Sequence, residues 1–170
     1  MNFKKFFMIA FALAATSIAT SAAFAQTGGT QISPMPLPRL APPDISVKIE
    51  MFEDQGCTKP MPNGSDLSYS GGAPAAFVRF TLSNSNSQNT GNFTYKRVIY
   101  RDGVKVFDPP AATISLTKGE TKVFPMEKVY FSGTSNTVEA KILADIGNLV
   151  KETNEANNSA TYTVKASVVH

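Results

Sequence analysis

Oxygen-bearing side chains crowd one stretch near the C-terminal end. It reads Ala-Asp-Ile-Gly-Asn-Leu-Val-Lys-Glu-Thr-Asn-Glu-Ala-Asn-Asn from Ala144 to Asn158. Asp145, Glu152, Asn154 and Glu155 are hard donors of the type that holds calcium. The Asp-x-Asp-x-Asp-Gly spacing of a dedicated calcium loop is missing, however. The same residue types also serve structure, because Asn and Asp bond nearby backbone groups and tolerate left-handed φ. Asn154, Asn157 and Asn158 are therefore expected to satisfy the backbone of a corner joining the last two strands. Glu152 or Glu155 would accept bonds from neighbouring amides. The structural reading is preferred, and neither a metal nor another cofactor is expected.

Catalytic chemistry is hard to assemble from the rest. A nucleophile needs a base beside it, and the only histidine is the terminal His170. One cysteine and one histidine do not make an ordinary zinc site. No Gly-rich phosphate loop is present. The chain is not expected to be an enzyme. Cys57 lies in the loop-like Gln55-Gly56-Cys57-Thr58-Lys59-Pro60. It is read either as an inert thiol or as a free thiol able to pair with another chain.

The N-terminus carries the signs of export. Lys4 and Lys5 precede an apolar run from Phe6 to Leu13, and small residues lead to Ala23-Phe24-Ala25. A positive start, a short apolar core and an A-x-A site form a secretory signal. Cleavage is expected between Ala25 and Gln26, leaving a periplasmic or secreted protein without a membrane anchor. The apolar run falls short of the roughly 20 residues that span a bilayer. Lipid attachment is not expected, because Cys57 is far from the cleavage point.

Subtracting this segment changes the charge. The full chain has 16 Lys+Arg and 13 Asp+Glu. Loss of Lys4 and Lys5 leaves a net charge near +1, so nucleic acid is not an expected partner. The mature length suits one domain with its own core.

The elements that would position any site alternate with period two. Residues 26–43 hold five prolines between Pro34 and Pro43 and read as an extended linker or arm. Ile45, Val47, Ile49 and Met51 then alternate with polar neighbours, as do Val78, Phe80 and Leu82. Each run predicts a half-buried strand. Residues 53–74 and 83–91 read as loops. Phe93 to Arg101 and Val104 to Phe107 flank Asp102-Gly103, a two-residue hairpin signal. A strand near Thr113 to Leu116 leads to a turn at Gly119. Thr121 to Phe124 and Lys128 to Phe131 follow, as two strands or one bent strand. Val138, Ala140 and Ile142 alternate next, and Tyr162, Val164, Ala166 and Val168 close the chain. The expectation is an all-β, immunoglobulin-like antiparallel sandwich of about seven or eight strands over residues 44–170.

The segment Val150-Lys151-Glu152-Thr153-Asn154-Glu155-Ala156-Asn157-Asn158, between a strand ending in Ala144-Asp145 and a final strand, resembles the CARDB family, the cell-adhesion-related domain found in bacteria. Tyr100-Arg101-Asp102-Gly103 is similar to the family's central hairpin, and Leu116-Thr117-Lys118-Gly119-Glu120 to its mid-domain turn. The long stretch from Cys57 to Pro74 departs from the family pattern. The resemblance implies an immunoglobulin-like sandwich with a binding or adhesive role. The partner would be an envelope protein or glycan, met through residues 83–91, residues 57–74 or an open sheet edge. The alternative is an assembly protein that self-associates through an edge strand or the proline-rich arm.

Overall fold

The computed structural model describes residues 37–70, 74–131 and 135–169. The expected signal segment, its cleavage point at Ala25 and Gln26, and residues 26–36 lie outside the described residues. The described chain from Pro38 onward forms one compact unit.

Ten strands are present among the described residues: β1 (Ile45–Phe52), β2 (Asp66–Ser70), β3 (Ala75–Asn84), β4 (Asn92–Arg101), β5 (Val104–Phe107), β6 (Ala112–Ser115), β7 (Thr121–Val123), β8 (Glu127–Tyr130), β9 (Ser135–Leu143) and β10 (Ser159–Val169). They build two sheets. In the smaller, β3 pairs with β1 on one side and with β7 and β8 on the other. In the larger the order is β2-β10-β9-β4, and β5 and β6 share the far side of β4. The all-β sandwich thus stands, with more strands than the sequence suggested. The stretch from Thr121 to Phe131 forms two strands on one partner rather than a single bent one. Residues 57–74 are not all loop: β2 runs parallel to β10, opposite Lys165 to Val169.

The alternating residues meet between the sheets. Val47, Ile49 and Met51 face Leu82, Phe80 and Val78 across the β1–β3 ladder, Ile45 is buried at the start of β1, and Val138, Ala140, Ile142, Val164 and Ala166 arrive from β9 and β10. Burying one side chain the size of Phe80 stabilises the fold by roughly 2–3 kcal/mol. Asp102 and Gly103 form the expected hairpin turn at φ 50° and 78°. Asp102 is also anchored: its carboxylate accepts from Asn136 Nδ2 at 2.6 Å and Thr137 N at 2.7 Å. Gly119 turns at φ 70°, and Glu120 closes that turn by accepting from Thr117 N at 2.8 Å.

Pro38 to Pro43 runs without regular structure, as a proline-rich segment must. It is nonetheless tied down. Gln88 Nε2 donates to Leu40 O at 2.8 Å, and Thr153 N donates to Pro43 O at 3.1 Å.

Candidate functional site

Two charged regions of the sandwich are candidates, and they differ in how their polar groups are satisfied. The first is the corner between β9 and β10. Asp145 sits there at φ 45° and is 5% exposed. Its two oxygens accept from Leu149 N at 3.0 Å and Val150 N at 2.9 Å. Glu152 is nearly as buried, at 9% exposed. Its Oε2 accepts from Ile45 N at the start of β1, and its Oε1 from Asn158 Nδ2 at 2.9 Å. Glu155 Oε1 accepts from Glu152 N at 3.0 Å, and Asn154 caps a short 3-10 turn by accepting from Ala156 N at 3.0 Å. Asn157 Nδ2 reaches Asp44 Oδ1 at 3.1 Å. Burial raises the Glu152 carboxyl above its ordinary value, and the negative charges of Glu155 and Asp145 add to this; the bonds from Ile45 and Asn158 only partly offset it.

Asp145, Glu152 and Glu155 bring their oxygens within 4.8 Å of one another, a grouping able to hold a cation. Both oxygens of Asp145 and of Glu152 already accept N–H bonds that close the corner. The sequence predicts that Asn154, Asn157 and Asn158 satisfy the backbone of this corner. Among the three asparagines only Asn154 bonds backbone; Asn157 and Asn158 bond carboxylates. Their own Oδ1 atoms are buried without a donor, and an orphaned carbonyl oxygen is the milder kind of unpaired group.

The second region is a cleft between the edges of the two sheets, where β5 faces β8. It encloses about 240 Å³ and is lined by Arg101, Val106, Phe107, Glu127, Lys128, Val129 and Tyr130. A register slip in the β4–β5 ladder lies beside it. Ile99 pairs with Phe107 and Tyr100 with Lys105, so Val106 is left without a partner. Such a bulge re-aims side chains, and Val104 and Val106 stand 67% and 42% exposed. Across the cleft Tyr130 is 51% exposed. Lys128 Nζ lies 4.5 Å from its ring centre. Arg101 Nη1 bridges the sheets by donating to Tyr130 O at 3.2 Å.

Behind the lining lies Arg97. Its guanidinium stacks on Phe124 at 4.3 Å, Phe107 at 5.3 Å and Phe80 at 5.6 Å. Glu127 is its one ion-pair partner among the described residues, at 4.0 Å. Nε and Nη1 of Arg97 are buried without a hydrogen-bond acceptor. Sequence reasoning missed this group, because its three aromatic neighbours come from separate parts of the chain.

A family model for CARDB matches residues 73–162, more than half of the chain. The chain belongs to the CARDB family. The matched part of this CARDB domain starts just ahead of β3 and ends within β10, so β1 and β2 precede it. The CARDB domain of a Pyrococcus furiosus protein, crystallised in complex with di-metal ions, is 21% identical over 76% of this chain and 96% of its own, with a TM-score of 0.47. A solution structure of the same domain gives 22% identity over 76% and 97%, with a TM-score of 0.44. No curated protein matches the chain.

The remaining sequence-nominated positions sit elsewhere in the domain. Residues 83–91 use their polar groups internally: Asn84 Nδ2 donates to Gln88 O at 2.7 Å and to Thr117 O at 3.0 Å, and Asn89 Oδ1 accepts from Lys118 N at 3.0 Å. Cys57 is a half-buried free thiol at φ 58°. Its Sγ lies 3.5 Å from Met126 Sδ and 3.6 Å from Arg79 Nη1. The loop carrying it is wound around Asp54, which accepts from Lys59 N at 2.8 Å and Thr58 N at 3.0 Å.

Proposed function

We propose that the chain is an exported, non-enzymatic binding module of the bacterial envelope, and that it takes a protein partner along the free edge of β5. The observation that carries this reading is the state of β5. Its outer side has no strand partner among the described residues, and Val104 and Val106 are exposed beside the cleft. An open edge offers main-chain donors and acceptors to an added strand, and side-chain pockets beside it give selectivity. The two loops nominated from sequence are weaker candidates, because they bond to themselves and to the sandwich. Export rests on Lys4, Lys5, the apolar run from Phe6 to Leu13 and Ala23-Phe24-Ala25.

A photo-crosslinking residue in place of Val104, with Ser68 on β2 as the control position, tests the reading in cells that make the chain. Adducts from position 104 and none from position 68 are expected. No adduct from position 104 would sink it. The open edge also suits the rival reading, self-association. An adduct with the mass of two copies would favour that rival. The arm is a poorer route to assembly, since Leu40 and Pro43 are bonded to the domain's own surface. Mass analysis of the exported chain should find Gln26 at its start; an uncut chain retained in the cytoplasm would remove the export claim.

A further inference from the structure

The cleft beside β5 has a charge and a size that narrow what can enter it. Its walls carry the cations Arg101 and Lys128 and one anion, Glu127. Glu127 is turned toward a third cation, Arg97, whose Nε and Nη1 have no acceptor. Two cations and one carboxylate thus line the cleft, and that carboxylate is paired with Arg97. A buried N–H without an acceptor is rare and calls for a reason, and aromatic faces hold the Arg97 guanidinium beside the cleft. The volume of about 240 Å³ is below the roughly 300–1,000 Å³ of pockets that enclose free small molecules. It suits one acidic side chain. The bulge at Val106 and the unpaired edge of β5 supply the adjoining track for the main chain of that segment.

Resting on the binding reading above, we infer that the β5–β8 cleft receives an Asp or Glu side chain of an extended acidic segment that lies along β5. Arg101 and Lys128 meet the carboxylate, and Arg97 adds positive potential from behind Glu127. Val104 and Val106, exposed on β5, flank the apolar stem of that side chain.

Two synthetic peptides test this, Thr-Glu-Val-Glu-Val-Glu-Thr and its counterpart with Lys in place of Glu, titrated calorimetrically into the purified chain. The acidic peptide should bind and the basic one should not. Arg101→Gln with Lys128→Gln should weaken the acidic peptide by about tenfold or more, as loss of charge-assisted bonds does. Lys151→Gln, an exposed cation at the far corner, should leave the affinity unchanged. An unchanged thermal melt in each variant shows that folding is intact. Equal binding of both peptides, or native affinity in the double variant, overturns the inference. Crosslinking at position 104 without binding of the acidic peptide overturns the acidic ligand and keeps the binding edge. Failure of both removes the edge as well.

Discussion

The acidic corner and the β5–β8 cleft are both dense in charge, and they use it in opposite ways. At the corner each carboxylate receives N–H groups: Asp145 from Leu149 and Val150, Glu152 from Ile45 and Asn158, Glu155 from Glu152. These bonds tie the β9–β10 connection to the start of β1. Behind the cleft the Arg97 guanidinium is held by aromatic faces with Nε and Nη1 unmet by any hydrogen-bond acceptor, and two valines stand open on a strand paired on one side only. The comparison teaches that a crowd of ligand-type side chains does not by itself mark a binding site. What distinguishes the two regions is that the corner's carboxylates are all met by N–H groups, its unmet atoms being the neutral Oδ1 of Asn157 and Asn158, whereas the unmet atoms beside the cleft belong to the charged Arg97 guanidinium.

If that contrast is right, substitutions should divide by region. Asp145→Ala should be the most damaging, costing about 3 kcal/mol, because two amides lose their acceptor and Ala is strained at positive φ. Chemical denaturation measures this, and a loss under about 1 kcal/mol would break the account of the corner. Glu152 gives a pH signature. Burial holds its folded-state pKa above the ordinary 4.5, so the folded state binds this proton more tightly than the unfolded chain. Its contribution is favourable below the ordinary value and is lost as pH rises from there through the folded pKa. Melting curves of native chain and Glu152→Gln across this window should differ in slope, with the native chain losing ground as pH rises. Parallel slopes would contradict the burial argument. In the cleft, Arg97→Met should change stability by less than about 1 kcal/mol in either direction, because it removes unmet donors and keeps the apolar stem. A loss like that of Asp145→Ala would make Arg97 a structural group and erase the contrast. Calcium, added or chelated, should leave the melting temperature unchanged. A rise on adding calcium would turn the corner into a cation site.

Most of the sandwich was legible in the sequence because its strands have one buried and one solvated face. Ile45-to-Met51 and Val78-to-Leu82 alternate cleanly and form β1 and β3. Asp102-Gly103 announced its hairpin because two adjacent positive φ angles need such residues. The corner was legible for the same local reason: Asp145 and Asn154 bond backbone within five residues of themselves. Local chemistry did not reveal β2. Asp66, Ser68 and Ser70 are exposed and Leu67 and Tyr69 only half-buried, so a parallel edge strand reads like a polar loop. The cleft was invisible for a different reason. Arg97 looks like a solvated strand residue until Phe80, Phe107 and Phe124 are brought around it by pairings between distant segments. Val98, Ile99 and Tyr100 ran together without clear faces, and the register slip lies at Ile99 and Tyr100 in the structure.

The division of labour between the two regions is tested most directly by titrating the acidic peptide into Asp145→Ala and into Arg101→Gln/Lys128→Gln, both held below their melting temperatures. The account predicts native affinity in the destabilised Asp145→Ala chain and about tenfold or greater weakening in the stable double variant. Weakened binding in Asp145→Ala, together with native affinity in the double variant, would contradict it.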